Sequence, residues 1–384
     1  MTSDREKDDT ICGAPVVAFS FNRDRSEAVF SPNNQQLLVV RCEDLGRCAS
    51  WETQAVLEQH DQCVSAAAWH GATDQILSCA HDRIAYVWCR DEKKMWRPQM
   101  VLLDVGVKRG LTCCAWNFSG SKIYVGSADA NIAVGRFDSE EQWWICRFLS
   151  VHNSTVTALA PHPFDDARLA SGGTDGKLLI LSTYMKKLDA SKAEPFGHVY
   201  FQKEFGSWVH AIAWSPSGAR LVVSTHDSRI HVFDMPSGSD LLQESAVVSN
   251  VVELTILPLK SLAFVGETRI VGGGFDFYPV LFSLVDQEWK MTGKWTVSRP
   301  KEVATAQQVA RARFQEQTQQ VSADIFEEEH SRHENTINYV CCLISESDDL
   351  GTIEDRLTEH CPLFATASLD GRVEVWSLSD MTCI

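Results

Sequence analysis

Over most of the chain, apolar and polar positions alternate in runs of about six residues, each ended by a cluster of Gly, Pro, Asn, Asp or Ser. A period of two sets one apolar face toward a core and one polar face toward solvent, so short antiparallel strands are predicted nearly throughout. One stretch breaks the pattern. EVATAQQVARARFQEQTQQVSADIFEEEHSRHENT, from Glu302 to Thr336, contains no Gly or Pro, and Ala, Gln, Arg and Glu dominate Val303 to Gln320. Its apolar residues Val303, Ala306, Ala310, Phe314, Val321 and Ile325 recur at steps of three, four or seven, a narrow stripe along a polar rod. Such a stripe is too thin for a core helix. The readings it allows are a helix on the flank of the fold, a disordered loop, or a protruding helix whose stripe enters another protein's groove with Phe314 as anchor.

The strand-like runs repeat. SCAHDRIAYVW, ASGGTDGKLLIL, VSTHDSRIHVF, GGGFDFYPVLF and ATASLDGRVEVW each place an apolar residue six positions after an aspartate: Asp82 to Trp88, Asp175 to Leu181, Asp227 to Phe233, Asp276 to Phe282 and Asp370 to Trp376. Asn34 to Val40 and Asp129 to Gly135 are weaker copies. The markers at 34, 82, 129, 175, 227, 276 and 370 stand 48, 47, 46, 52, 49 and 94 residues apart. A unit just under fifty residues with room for four short strands is the mark of a β-propeller of WD40 type. The predicted architecture is all-β: a single propeller over 1–384, seven-bladed, with a helical insertion between blades six and seven. The insertion occupies 296–335, and a second, acidic one (345–360) lengthens a hairpin of blade seven between strands near Tyr339–Leu343 and Phe364–Ser368. The strand leading to Phe19 and Phe21 is expected to complete the blade that ends at Trp376, which removes free edges.

Each aspartate is predicted to sit in the tight turn between a blade's two middle strands, accepting backbone N–H bonds. His60 and His152 precede Asp82 and Asp175 by 22 and 23 residues, and in WD40 proteins such a histidine is oriented by the turn aspartate. The repeated His/Asp/Ser sets are therefore read as structural. A hydrolytic triad is the weaker reading, because the same constellation recurs from blade to blade.

Charge and cysteine usage narrow the classes of function. A formal charge of −16 argues against non-specific nucleic acid or anionic membrane binding. No run of about 18 apolar residues is present, so no membrane span is expected, and the charged start MTSDREKDD shows no secretory signal. The 13 cysteines include no CxxC pair, which favours reduced, buried thiols of a cytosolic protein over a zinc site. No nucleotide loop, HExxH or nucleophile elbow occurs; neither enzyme activity nor a cofactor or metal is expected. Trp143 and Trp144, adjacent in a strand, must face opposite ways, one between blades and one toward solvent or a partner.

The chain resembles the family of subunit 1 of the actin-related protein 2/3 complex, from about Val17 to Trp376. The resemblance is carried by FNRDRSEAVFSPNNQQLLV (Phe21–Val39), EEQWWICRF (Glu140–Phe148), GSWVHAIAWSPSGARLVVSTHDS (Gly206–Ser228), FDFYPVLF (Phe275–Phe282) and ARARFQ (Ala310–Gln315). It implies a non-enzymatic scaffold in the cytoplasmic actin cytoskeleton. The implied partners are actin-related proteins, small helical subunits, nucleation-promoting factors and the actin filament. It further implies that the insertion is an actin-contacting arm, with Val309, Ala310, Arg311, Arg313 and Phe314 as its contacting residues. Two features depart from the family pattern: the acidic stretch from Val321 to Glu334 and the insertion from Ser345 to His360. A generic WD40 adaptor that binds peptides on the propeller face is the alternative.

Overall fold

The computed structural model describes residues 13–103, 106–189, 193–235, 247–296, 331–343 and 363–383. Their regular structure is almost entirely β. Blade one is formed by β1 (Ala18–Phe21), β2 (Glu27–Ser31), β3 (Gln36–Arg41) and β4 (Glu52–Glu58). Blade two contains β5 (Val64–His70), β6 (Gln75–Ala80), β7 (Ala85–Arg90) and β8 (Trp96–Leu102), and blade three β9 (Leu111–Trp116), β10 (Lys122–Ser127), β11 (Ile132–Asp138) and β12 (Trp143–Leu149). Blade four has β13 (Val156–Pro161), β14 (Arg168–Gly173), β15 (Lys177–Ser182) and β16 (Val199–Glu204), and blade five β17 (Val209–Trp214), β18 (Arg220–Thr225), β19 (Arg229–Asp234) and β20 (Val248–Glu253). Blade six has β21 (Leu259–Phe264), β22 (Arg269–Gly274), β23 (Val280–Val285) and β24 (Glu288–Lys294). Blade seven shows three strands among the described residues, β25 (Ile337–Cys342), β26 (Leu363–Ser368) and β27 (Val373–Ser377).

Within each blade the strands run antiparallel in chain order. The inner strands β1, β5, β9, β13, β17, β21 and β25 each pack against the next, and β25 returns to β1, which closes the ring. Burial follows from this geometry. Second strands such as β6, β10 and β14 lie between neighbouring blades and are buried on both faces, whereas outer strands such as β8 are largely exposed. The described core divides into seven apolar clusters, one at each blade interface.

The seven-blade expectation stands, and the N-terminal strand takes a different place from the one expected. β1, which holds Phe19 and Phe21, is the inner strand of blade one, paired with β2. The segment ahead of it reaches blade seven: Val16 N–H donates to Ser368 O at 3.2 Å, and Asn338 Nδ2 donates to Val16 O at 3.3 Å. At the other end, β28 (Thr382–Cys383) leaves blade seven and pairs with β24 of blade six. The predicted inserted helix and the acidic insertion (345–360) fall on 297–330 and 344–362, outside the described residues.

The inner strands of blades two to seven each carry one bulge, at Ser65, Thr112, Thr157, His210, Lys260 and Asn338. A bulged residue leaves the ladder, and several here bond the next blade instead. Thr112 Oγ1 donates to Val156 O and Thr157 Oγ1 to Val209 O, both at 2.6 Å, and Lys260 Nζ donates to Asn338 Oδ1 at 2.8 Å.

Candidate functional site

The marker aspartates lie between the second and third strands of their blades, where the residue that follows is left-handed: Arg83, Ala130, Gly176, Ser228, Phe277 and Gly371 have φ between 57° and 85°. Blade one is out of step, since its left-handed residue is Asn33, one position before the marker Asn34.

Three turns hold a histidine network, complete with its tryptophan in two of them. In blade two, His60 Nδ1 lies 2.9 Å from Asp82 Oδ2 and His60 Nε2 lies 2.9 Å from Ser78 Oγ, which also accepts from Trp88 Nε1 at 2.9 Å. Asp82 accepts in addition from the N–H groups of Asp61 and Ile84, each at 2.9 Å. In blade four, His152 bridges Asp175 at 3.1 Å and Ser171 Oγ at 2.9 Å, but Leu181 stands where the indole would be. Blade seven repeats blade two, with His333 bridging Asp370 at 3.1 Å and Thr366 Oγ1 at 2.6 Å, and Trp376 Nε1 donating to Thr366 Oγ1 at 2.8 Å. His333 escaped the sequence reading because it precedes Asp370 by 37 residues. Subtracting the 16 residues of the 345–360 insertion leaves 21, close to the 22 and 23 of the other blades.

The remaining markers are held by other groups. Asp129 accepts from Ser127 Oγ and from Lys108 N–H, Asp227 from Thr225 Oγ1 and Arg229, and Asp276 from Leu257 N–H. These aspartates belong to separate blades, so the structure brings together no common site from them.

The electrostatics suit a structural role. Burial pushes the Asp82 and Asp370 carboxyls up, but the histidine bond and the backbone N–H donors outweigh it and hold both below the usual carboxylate range. Burial lowers the His152 pKa, only partly offset by Asp175. Ser78 and Ser171 are fully buried, so no substrate carbonyl could reach them. Two thiols are equally unsuited to chemistry: burial pushes Cys113 and Cys146 up to about 12. Trp144 is buried at 2% exposure while Trp143 is 45% exposed, as their opposite facing requires. Among the described residues no three His, Cys, Asp or Glu side chains converge as metal ligands, and no helix is long and apolar enough to cross a membrane. The arm residues Val309, Ala310, Arg311, Arg313 and Phe314 lie outside the described residues.

The family profile for the WD domain, G-beta repeat, matches residues 51–89, 143–181 and 197–234. The chain is 30% identical to actin-related protein 2/3 complex subunit 1 of Schizosaccharomyces pombe, with 72% of this chain and 73% of that protein aligned. The chain belongs to the actin-related protein 2/3 complex subunit 1 family. It is 29% identical to subunit 1A of Arabidopsis thaliana over 95% of both chains, and 28% identical to subunit 1A-B of Xenopus laevis over 96% of this chain and 95% of the relative. In this family setting the three His–Asp networks are parts of the scaffold, and a functional surface has to be sought on the faces of the ring.

Proposed function

We propose that this chain is the propeller subunit of an actin-related protein 2/3 complex: a non-enzymatic scaffold of the cytoplasmic actin cytoskeleton that supports filament nucleation and branching. The observation that carries the reading is a similarity to subunit 1 proteins that spans 95% of this chain and of its Arabidopsis thaliana relative. The turn networks support it from the other side. Each of the three described His/Asp/hydroxyl sets is buried and committed to its own blade, as a structural role requires. The partners in this reading are the actin-related proteins, the small helical subunits, nucleation-promoting factors and the mother filament.

The inserted arm (296–335) would contact the filament through Val309, Ala310, Arg311, Arg313 and Phe314. An aromatic side chain on a polar rod adds little to folding, whereas its burial in a groove contributes roughly 1.5–3 kcal/mol to binding. Two arginines beside it would steer association toward an acidic surface in a salt-dependent way. Two measurements test the proposal. Mass spectrometry of the endogenous assembly should find actin-related proteins among its partners. Branch counting by fluorescence microscopy should find several-fold fewer branches for complex carrying Phe314→Ala, with assembly intact. Normal branching in that variant and in a deletion of Val303–Asp324 would overturn the arm's role.

A further inference from the structure

The turn after Asp276 differs from its counterparts. The left-handed position that Arg fills in blade two, Ala in blade three, Gly in blades four and seven, and Ser in blade five is taken here by an aromatic residue, Phe277, at φ 67°. A bulky side chain there is strained by its Cβ, and Phe277 is also 40% exposed. Strain without burial gives the fold nothing in return, and such outliers cluster at functional contacts.

Phe277 belongs to a larger patch. Leu257, 52% exposed, donates its backbone N–H to Asp276 at 2.5 Å and so sits beside the same turn. A continuous series of contacts leads from there to blade five. Lys260 Nζ lies 5.8 Å from the Phe275 ring, Phe275 packs edge-on against His210 at 6.2 Å, and His210 Nε2 lies 2.8 Å from His226 Nδ1. Trp208, 52% exposed, stands over His226 at 5.2 Å. The loops involved precede the inner strands β17 and β21 or join second to third strands, which places them on one face of the ring. Lys260 is half-buried, donates to the neutral Asn338, and forms no ion pair among the described residues. Burial lowers its pKa.

We propose that this face of blades five and six docks an apolar segment of a partner protein, which covers Phe277, Leu257 and Trp208 and sets a carboxylate on Lys260. Charge complementarity fixes the occupant's chemistry. Among the described residues the half-buried Lys260 ammonium meets an amide oxygen and the Phe275 ring, and such a cation gains most from an anion, while exposed aromatic side chains anchor protein contacts. The patch contains none of the arm's residues, so each of the two proposals is tested by its own variants.

The test uses the full chain in the assembly purified from its own cells, treated with a carbodiimide that couples amines directly to adjacent carboxylates. Lys260 should couple to a Glu, Asp or C-terminal carboxylate of another polypeptide, and Lys260→Arg should abolish that product. Phe277→Gly should leave the isolated chain's melting temperature unchanged or raised, because the strain is relieved, yet reduce the coupled product roughly tenfold, as loss of a buried anchor does. Trp208→Ala should reduce it in the same direction. Coupling of Lys260 only to a carboxylate of this chain, no coupling at all, or a lowered melting temperature in Phe277→Gly with coupling intact would each overturn the proposal. Whether actin-related proteins co-purify is read separately in the same preparation and tests the complex, not this surface.

Discussion

Lys122 gives the sharpest test of how the blades are held together. Its side chain is fully buried at the start of β10, in blade three, and Nζ reaches blade four. There it donates to both oxygens of Asp189 at 2.6 Å, to Asp166 O at 2.9 Å and to Thr183 O at 3.1 Å. Asp189 also accepts the Met185 N–H at 2.6 Å, and Asp166 accepts from Asn117 Nδ2 at 2.8 Å and Ser119 N–H at 3.0 Å. One ammonium therefore fixes the connection between β15 and β16 against the neighbouring blade. Lys122→Met keeps the length of the side chain and strands a buried carboxylate, which costs about 4 kcal/mol. With an unfolding entropy of about 2.1 cal/mol/K per residue over 384 residues, the melting temperature should fall by roughly 5 °C.

The sign for the double variant is different. Burial depresses the Lys122 pKa, and the bond and charge of Asp189 recover only part of that. Desolvation thus outweighs the attraction, and Lys122→Met with Asp189→Leu should regain most of the loss or exceed the parent. Differential scanning calorimetry of the parent, both single variants and the double variant closes the cycle. A single variant that melts with the parent, or a double variant no better than the singles, would refute the reasoning.

Asp82→Ala removes the acceptor of His60, Asp61 and Ile84 in a buried turn and should cost roughly 1–3 kcal/mol, read by thermal unfolding. Asp227→Ala, which loses partners at an exposed turn, should cost distinctly less. Acid should destabilise the propeller before its carboxylates titrate. Burial above all takes His162, His210 and His231 from 6.5 to about 4. Between those values the unfolded chain binds more protons than the folded one, so stability present above pH 6.5 is lost as the pH falls toward 4. A melting temperature that stays flat across that window would contradict the assignment.

What was legible in the sequence was whatever depends on local backbone chemistry. The aspartates were readable because a tight turn needs an acceptor at a fixed place, and the apolar residue six positions on because a buried strand follows each turn. Trp143 and Trp144 were readable as opposite-facing from strand geometry alone. Illegible were the features that depend on register or on distant partners. Thr112 and Thr157 look like ordinary strand hydroxyls until a bulge turns them onto the next blade. The partner of Lys122 lies 67 residues away in another blade's loop. His333 was hidden by an insertion, and Phe277 by the fact that nothing in FDFYPVLF announces a positive φ.

The closing interface shows why repeat and blade must be distinguished. The matched segment 51–89 runs from β4 through β7, and 197–234 from β16 through β19. Each begins on one blade's outer strand and ends on the next blade's third strand, so continuous chain already spans the interface. Between blades seven and one no described strand does this. Residues ahead of β1 substitute: Val16 is fully buried and bonded to Ser368 and Asn338. Ala14 lies against Gly371, which has φ 85° and where an added Cβ would stand 2.6 Å from Ala14 O. Gly371→Ala therefore combines left-handed strain of about 1–2 kcal/mol with displacement of the closing segment. Gly206→Ala, at a glycine with open space around it, should be close to neutral. Limited proteolysis should then cut the N-terminal lead of Gly371→Ala faster than that of the parent or Gly206→Ala. Equal cutting of all three would mean that the apolar cluster around Phe19, Phe30 and Ala365 closes the ring without the lead.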